Sequence, residues 1–166
     1  PFEVVPGVSA ATAVPAYAGI PLTHRDHAST VTFVTGRPGD GAEDLAYDWE
    51  ALVRLKGTLV FLMAALRAGD VAQRLIDAGM DPATPAAAIR WGTTPRQRTV
   101  CSTVANIGDR VETEDLRPPV VLVIGRVAAL AERLAWYESL PLFGRRIVVT
   151  RARHRAASPL RRGSAT

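Results

Sequence analysis

Small residues stand at the ends of several predicted strands, where a ligand could approach the backbone closely. They form the blocks PGVSA at residues 6–10, TG at 35–36, MA at 63–64 and WGTT at 91–94. In open α/β sheets the carboxyl ends of the strands form the ligand crevice, and residues without bulky side chains leave room there. Glycine also makes ordinary turns, so the pattern favours a binding crevice without identifying its ligand.

Two other groups could do chemistry but are better explained as structural. His24 and His27 lie on either side of Asp26, yet no third convincing metal ligand is nearby, so we expect local hydrogen bonds and no metal site. Cys101 falls in a predicted strand, which favours a small buried hydrophobic residue over a nucleophile. The motifs G-x-x-x-x-G-K-[ST], G-x-G-x-x-G, H-E-x-x-H and G-x-S-x-G are absent from the sequence, which removes the main support for kinase, dehydrogenase, zincin and hydrolase functions.

Composition indicates a folded domain. The 166 residues are 48% hydrophobic and 22% charged, which is enough apolar material for a core. No apolar run approaches the ~20 residues of a membrane span, and Pro1 is followed by nothing that resembles a signal peptide. A single cysteine excludes internal disulfides and fits a reducing compartment. We therefore expect a cytoplasmic protein with no membrane partner, and an N-terminus produced by a cut.

Charge is distributed unevenly along the chain. The net charge is +4, but residues 141–166 contain seven arginines and no acidic residue, which leaves residues 1–140 at −3. A basic tail can bind phosphate backbones non-specifically. No aromatic residue follows Phe143 to stack on bases, so we expect no nucleic-acid partner.

The hydrophobic pattern predicts an alternating α/β domain with several buried strands. Predicted strands span residues 2–5, 30–35, 58–63, 86–91, 98–103 and 120–125. Predicted helices span 10–18, 49–55, 66–78 and 128–137, with 104–109 as a loop or short helix and 37–47 as a surface loop. Ser9 and Asp48 are the candidate N-caps of the first two helices.

Five sequence blocks, in order along the chain, resemble the tetrapyrrole methylase family. They are VVPGVSAATAVPAYAGIPLTHR at residues 4–25, VTG at 34–36, DWEAL at 48–52, TLVFLM at 58–63 and WGTTPRQRTV at 91–100. Within the family they are most similar to the branch that C-methylates uroporphyrinogen III. PAYAGIPLTHR and GTTPRQRTV are long and specific enough to make coincidence negligible.

The resemblance implies a fold and a cofactor. The fold is the C-terminal α/β domain of the two-domain methylase, a mixed sheet flanked by helices, and S-adenosylmethionine binds in the cleft between the two domains. On matching positions it implies cofactor contacts at Ser9, Ala10, Met63 and Gly92. Ser9 offers a hydroxyl and capped helix amides, Met63 offers backbone polar groups or a thioether, and Gly92 leaves room for an adenine or ribose.

The resemblance also implies a reaction and its partners. The branch transfers two methyl groups in succession to uroporphyrinogen III, giving precorrin-2 for siroheme, cobalamin or haem d1 synthesis, and is expected to act as a homodimer without a metal. The substrate carries acetate and propionate carboxylates, which suit bidentate arginine. Arg25, Arg96 and Arg98 flank the family blocks and are the substrate-binding candidates, with ordinary surface arginines as the alternative.

The sequence departs from the family pattern in two places. The family's first domain, with its glycine-rich opening and the residues proposed for proton transfer, is not present. We therefore expect an incomplete fragment that is inactive alone, with its catalytic residues in the missing part. Arg37 stands where this branch usually has histidine, which leaves the local contact open.

The end of the chain resembles a second protein. PLFGRRIVVTRAR at residues 141–153 is similar to the junction and opening strand of uroporphyrinogen-III synthase, which some bacteria fuse to the methylase. We therefore divide the chain into a methylase part at 1–138, a linker at 139–144 and a truncated synthase-like start at 145–166. Residues 145–150 have strand character, and from about residue 151 we expect disorder.

Three other functions remain to be weighed. A later precorrin methylase is disfavoured by GTTPRQRTV and by the synthase-like ending. A ribosomal-RNA ribose methyltransferase is disfavoured by the negative charge of residues 1–140. A cofactor-binding or dimerisation module with no catalysis of its own stays open.

Overall fold

The computed structural model describes residues 2–36, 47–148 and 150, which form one five-stranded mixed sheet flanked by helices. The strands are β1 (Val31–Thr35), β2 (Thr58–Leu62), β3 (Pro85–Arg90), β4 (Arg98–Thr103) and β5 (Val120–Ile124), in the spatial order β1-β2-β5-β3-β4. β1 and β2 are parallel, whereas β5 is antiparallel to both β2 and β3, and β4 is antiparallel to β3. The predicted fold class is confirmed.

Helices cover both faces of the sheet. They are α1 (Ala10–Tyr17), α2 (Trp49–Arg54), α3 (Ala68–Asp77), α4 (Val104–Thr113) and α5 (Ala131–Leu134), with 3₁₀ turns at Ala65–Arg67 and Arg126–Leu130. α2, α3 and α4 pack on the first face, and α1 and α5 pack on the second. No helix in the described part of the chain is long and apolar enough to cross a bilayer.

The central strand β5 has its apolar residues buried on both faces. Leu122 and Ile124 point into the first layer, while Val121 and Val123 point into the second. A strand covered on both sides needs a continuous apolar run, which is why VVLVI is readable as a buried strand from the sequence.

Several predicted elements differ from the structure. Residues 2–5 form no strand, and Phe2, Val4 and Val5 are 77–93% exposed, because β-propensity without a neighbouring strand to pair with does not make a sheet. The segment after β4 is a full helix to Thr113, and the predicted helix at 128–137 is reduced to a 3₁₀ turn and the short α5.

The segment predicted as a linker, residues 139–144, lies within the described chain. Residues 139–144 form turns, with the Phe143 N–H donating to the Leu140 carbonyl at 2.9 Å. Residues 145–148 and 150 lie outside any strand. Of the loop predicted at 37–47, residues 37–46 fall outside the described residues, as does the disorder predicted from about residue 151.

Candidate functional site

A cavity of about 880 Å³ lies at one end of the sheet and is bounded mainly by apolar residues. Its lining includes Ala10, Leu62, Met63, Ile89, Trp91 and Gly92. β1, β2 and β3 all end at this edge, because β2 and β3 are both antiparallel to β5. The small-residue blocks that follow these strands therefore meet, as expected for a crevice at the carboxyl ends of strands.

The backbone around the cavity holds three non-glycine residues in the left-handed region. Met63 has φ 59°, Trp91 has φ 47° and Thr93 has φ 68°. Such conformations cost about 1–3 kcal/mol each and persist only where the surroundings enforce them. Met63 and Trp91 line the cavity directly, whereas Lys56 and Asp115, which also have positive φ, lie outside its lining.

Two glycines at this edge allow close packing of the protein itself. A Cβ on Gly92 would lie 2.8 Å from the Cβ of Val14, and one on Gly36 would lie 2.8 Å from the Ala64 nitrogen. Gly92 thus lets α1 approach the end of β3, which brings Ala10 to the cavity wall. Val14 occupies the space that a side chain at position 92 would take. The family resemblance implied room there for an adenine or ribose.

Ser9 is placed differently from Ala10, Met63 and Gly92. Its hydroxyl accepts a hydrogen bond from the Ala11 N–H at 3.2 Å and so caps α1. Ser9 is exposed, and the cavity lining begins at the next residue. The N-cap prediction is confirmed, and the hydroxyl is already engaged in that role.

The loop between β3 and β4 is fixed by a buried amide. Gln97 is 3% exposed, accepts from the Thr93 N–H at 2.8 Å and donates to the Glu138 carboxylate at 3.0 Å. Sequence reasoning missed Gln97 and Glu138, since 41 positions separate them and nothing local marks their contact. A buried polar side chain with both ends satisfied is a signal only the tertiary structure supplies.

The three candidate arginines lie in different surroundings. Arg96 stacks on Trp91, with its guanidinium carbon 4.4 Å from the ring centroid, and Arg90 lies over the same ring at 3.9 Å. Arg98 instead pairs with the Glu114 carboxylate and donates to the Glu114 carbonyl at 2.9 Å, at the end of α4. Arg25 sits in an exposed turn closed by the bridge between His24 and Ala28.

Of the two histidines, His24 has a local hydrogen-bond partner, whereas the buried Nδ1 of His27 has none among the described residues, contrary to the expected local bond. The His24 and His27 rings stack with centroids 4.6 Å apart, and His24 Nδ1 accepts from the Asp26 N–H at 3.1 Å. Among the residues that the structure describes, no three His, Cys, Asp or Glu side chains are grouped to hold a metal. Cys101 is exposed on β4, so the expected burial of its side chain is wrong. Desolvation by the atoms packed around the sulfur, followed by the charges of Glu132 and Glu138, raises the pKa of the Cys101 thiol above its ordinary value.

Sequence comparison identifies the family. A profile of the Tetrapyrrole (Corrin/Porphyrin) Methylases matches residues 1–108. The chain belongs to the tetrapyrrole methylase family. It is 50% identical over 138 residues to a siroheme synthase of Azotobacter vinelandii, covering 83% of this chain and 29% of that protein. It is 48% identical over 136 residues to a siroheme synthase of Chromobacterium violaceum, covering 82% and 28%.

Solved structures of other tetrapyrrole methylases share the fold. The uroporphyrin-III C-methyl transferase of Thermus thermophilus, complexed with S-adenyl homocysteine, is 32% identical with a TM-score of 0.64, covering 76% of this chain and 51% of that one. A cobalt precorrin-4 methyltransferase is 26% identical with a TM-score of 0.67, covering 76% and 52%. The chain therefore spans about half of these structures and less than a third of the curated relatives.

Proposed function

We propose that this chain is the C-terminal half of an S-adenosylmethionine-dependent enzyme that converts uroporphyrinogen III to precorrin-2. The observation that carries the proposal is the cavity at the strand ends. Ala10, Met63 and Gly92 reach it from three separate segments of the chain. These are three of the four positions that match the family's cofactor contacts.

The cavity suits the cofactor in size and in chemistry. Its volume of about 880 Å³ lies in the range of roughly 300–1,000 Å³ typical of small-molecule sites. Leu62 and the exposed side chain of Met63 offer apolar surface that suits an adenine. The Thermus relative, complexed with S-adenyl homocysteine, supports this choice of ligand.

The protein's contribution to such a reaction is alignment. When bound, S-adenosylmethionine supplies a methyl group on a positively charged sulfur, and the carbon–sulfur bond breaks as a pyrrole carbon forms the new carbon–carbon bond. Collinear displacement gains most from fixed geometry. Met63 and Trp91, which line the cavity, have left-handed backbone conformations that persist only where the surrounding structure enforces them. We place the proton-transfer groups in the half that precedes this chain.

Arg96 is the best-placed of the three candidates for the substrate's carboxylates. It is exposed, and its guanidinium stacks on Trp91, which lines the cavity. Stacking fixes the plane of the guanidinium and leaves its N–H groups at the edge available to a carboxylate. Arg25 and Arg98 remain candidates, although the pairing of Arg98 with Glu114 occupies part of its donor set.

The test compares two purified proteins. One is the 166-residue chain, and the other is the same chain joined to the N-terminal methylase half of the Azotobacter siroheme synthase. We expect methyl transfer from labelled S-adenosylmethionine to uroporphyrinogen III from the joined protein only. S-adenosylhomocysteine affinity is measured by calorimetry on both. A joined protein that folds but binds no S-adenosylhomocysteine would refute the proposal.

A second candidate function is methylation of a later precorrin. The similarity to a cobalt precorrin-4 methyltransferase favours it. The two reactions are separated by the mass of the product, because precorrin-2 carries two added methyl groups. If the joined protein binds S-adenosylhomocysteine but methylates neither substrate, the result would support a cofactor-binding or dimerisation module without catalysis. Light scattering would then measure its oligomeric state.

A further inference from the structure

One wall of the cavity is a loop in a strained conformation. Thr93 is β-branched and has φ 68°, which is unusual for such a residue. Its N–H donates to Gln97 Oε1 at 2.8 Å, and its carbonyl accepts from the Tyr137 hydroxyl at 3.4 Å. Both bonds oppose relaxation of Thr93, and its neighbours Gly92 and Thr94 line the cavity.

The Gln97 amide is itself held from outside the loop. Its nitrogen donates to the Glu138 carboxylate at 3.0 Å. The same carboxylate accepts from the Thr99 N–H at 3.3 Å and from the Thr99 hydroxyl. All three donors are neutral groups, so Glu138 acts here as a multiple hydrogen-bond acceptor.

The segment that carries Glu138 contacts the loop through Tyr137 and is also held by residues outside the loop. The Trp136 indole N–H donates to the Ala16 carbonyl at 3.1 Å, at the end of α1. The Tyr137 ring packs edge-on against Tyr17, with centroids 4.8 Å apart, and against Phe143 at 5.2 Å. Glu138 therefore lies on a segment that is held by contacts outside the loop, and its hydrogen bond to Gln97 can restrain the loop.

We infer that Glu138 is a positioning residue that acts through Gln97 to hold Thr93, and with it the cavity wall, in the strained conformation. The inference rests on the proposed function only for the identity of the ligand. It assigns to the segment after α5 a part in shaping the site, although none of the described residues of that segment lines the cavity.

The hydrogen-bond pattern allows a matched set of variants. In Glu138→Gln, one amide oxygen replaces two carboxylate oxygens, so in either orientation the new N–H group opposes another donor, the Thr99 N–H or the Gln97 amide. In Gln97→Glu, two carboxylates meet. The double variant Gln97→Glu/Glu138→Gln restores complementarity, because the new amide donates to residue 97 and to the Thr99 hydroxyl while its oxygen accepts from the Thr99 N–H. Residue 97 still offers an oxygen to Thr93.

Amide hydrogen exchange, resolved by NMR on the 166-residue chain, tests the inference. We expect exchange of the Thr93 amide to accelerate about tenfold in each single variant and to return to within about threefold of the wild-type rate in the double variant. The amide of Leu122, in the central strand, should exchange at the wild-type rate throughout. S-adenosylhomocysteine affinity should fall about five- to tenfold in the single variants and recover in the double one.

Three results would overturn the inference. They are an unchanged Thr93 rate in Glu138→Gln, a double variant as fast as the singles, and equal acceleration at Leu122, which would indicate a general loss of stability. If the wild-type chain binds no S-adenosylhomocysteine but the joined protein does, the affinities are measured there. If neither protein binds it, the proposed function fails, and the exchange rates still decide the role of Glu138.

Discussion

Gly92 and Val14 are in such close contact that the glycine sets how near α1 lies to the end of β3. A Cβ on Gly92 would lie 2.8 Å from the Cβ of Val14 and still closer to its methyl groups. Real side chains do not approach in this way, so any larger residue at position 92 must displace the helix. Because Ala10 and Val14 both line the cavity, the same displacement would reshape it.

Gly92→Val should destabilise the fold as well as weaken ligand binding. Overpacking against Val14 is expected to lower the free energy of unfolding by about 1–3 kcal/mol, measured by urea titration. Gly7→Val is the matched control, since nothing lies within 4 Å of a Cβ there. Val14→Ala should recover part of the loss in the double variant. Normal stability with reduced S-adenosylhomocysteine affinity would instead support direct contact between Gly92 and the ligand.

Gly108 and Gly69 mark the crossing of α4 and α3, and they should respond differently to alanine. A Cβ on Gly108 would lie 2.7 Å from the Gly69 Cα, whereas the nearest atom to a Cβ on Gly69 is 3.9 Å away. Gly108→Ala should lower the thermal midpoint, because the clash of about 1–3 kcal/mol outweighs a gain in helix propensity of up to about 1 kcal/mol. Gly69→Ala should be neutral or stabilising. Equal midpoints for the two variants would show that the helices can separate without cost.

Arg98 should contribute to stability more than to substrate binding. Arg98→Ala removes a partly exposed ion pair with Glu114 and should lower the free energy of unfolding by about 0.5–1 kcal/mol. Arg117→Ala is the control, because Arg117 and Asp115 are both exposed. In the joined enzyme, Arg96→Ala should raise the KM for uroporphyrinogen III more than Arg98→Ala does. A larger rise in KM for Arg98→Ala than for Arg96→Ala would indicate that Arg98 binds the substrate.

Cys101 should react slowly with alkylating reagents. Desolvation of the sulfur and the charges of Glu132 and Glu138 raise the pKa of the thiol, so less thiolate is present at a given pH. The alkylation rate with iodoacetamide should therefore reach its midpoint at a higher pH than for a free cysteine. Glu132→Gln should shift that midpoint downward, whereas Glu112→Gln, on the exposed surface of α4, should not. An unshifted midpoint in the wild type would contradict the assignment.

Local features of the sequence determined much of the architecture. The continuous run VVLVI specifies β5, because a strand buried on both faces needs apolar residues at every position. Asp48 specifies the start of α2, where its carboxylate accepts from the Ala51 N–H at 2.8 Å. The family blocks could be recognised from the sequence because each is a short contiguous stretch.

Tertiary structure decided how those elements meet. Residues 2–5 have strand propensity but form no strand. β5 lies between β2 and β3, and both of these partners come from distant parts of the chain. Gln97 restrains the loop between β3 and β4 because its amide also bonds to Glu138, which is 41 positions away. The requirement for glycine at position 92 depends on Val14 in another element. Propensity and capping act over a few residues, whereas strand pairing, steric exclusion and the satisfaction of buried polar groups depend on neighbours that only the folded chain brings together.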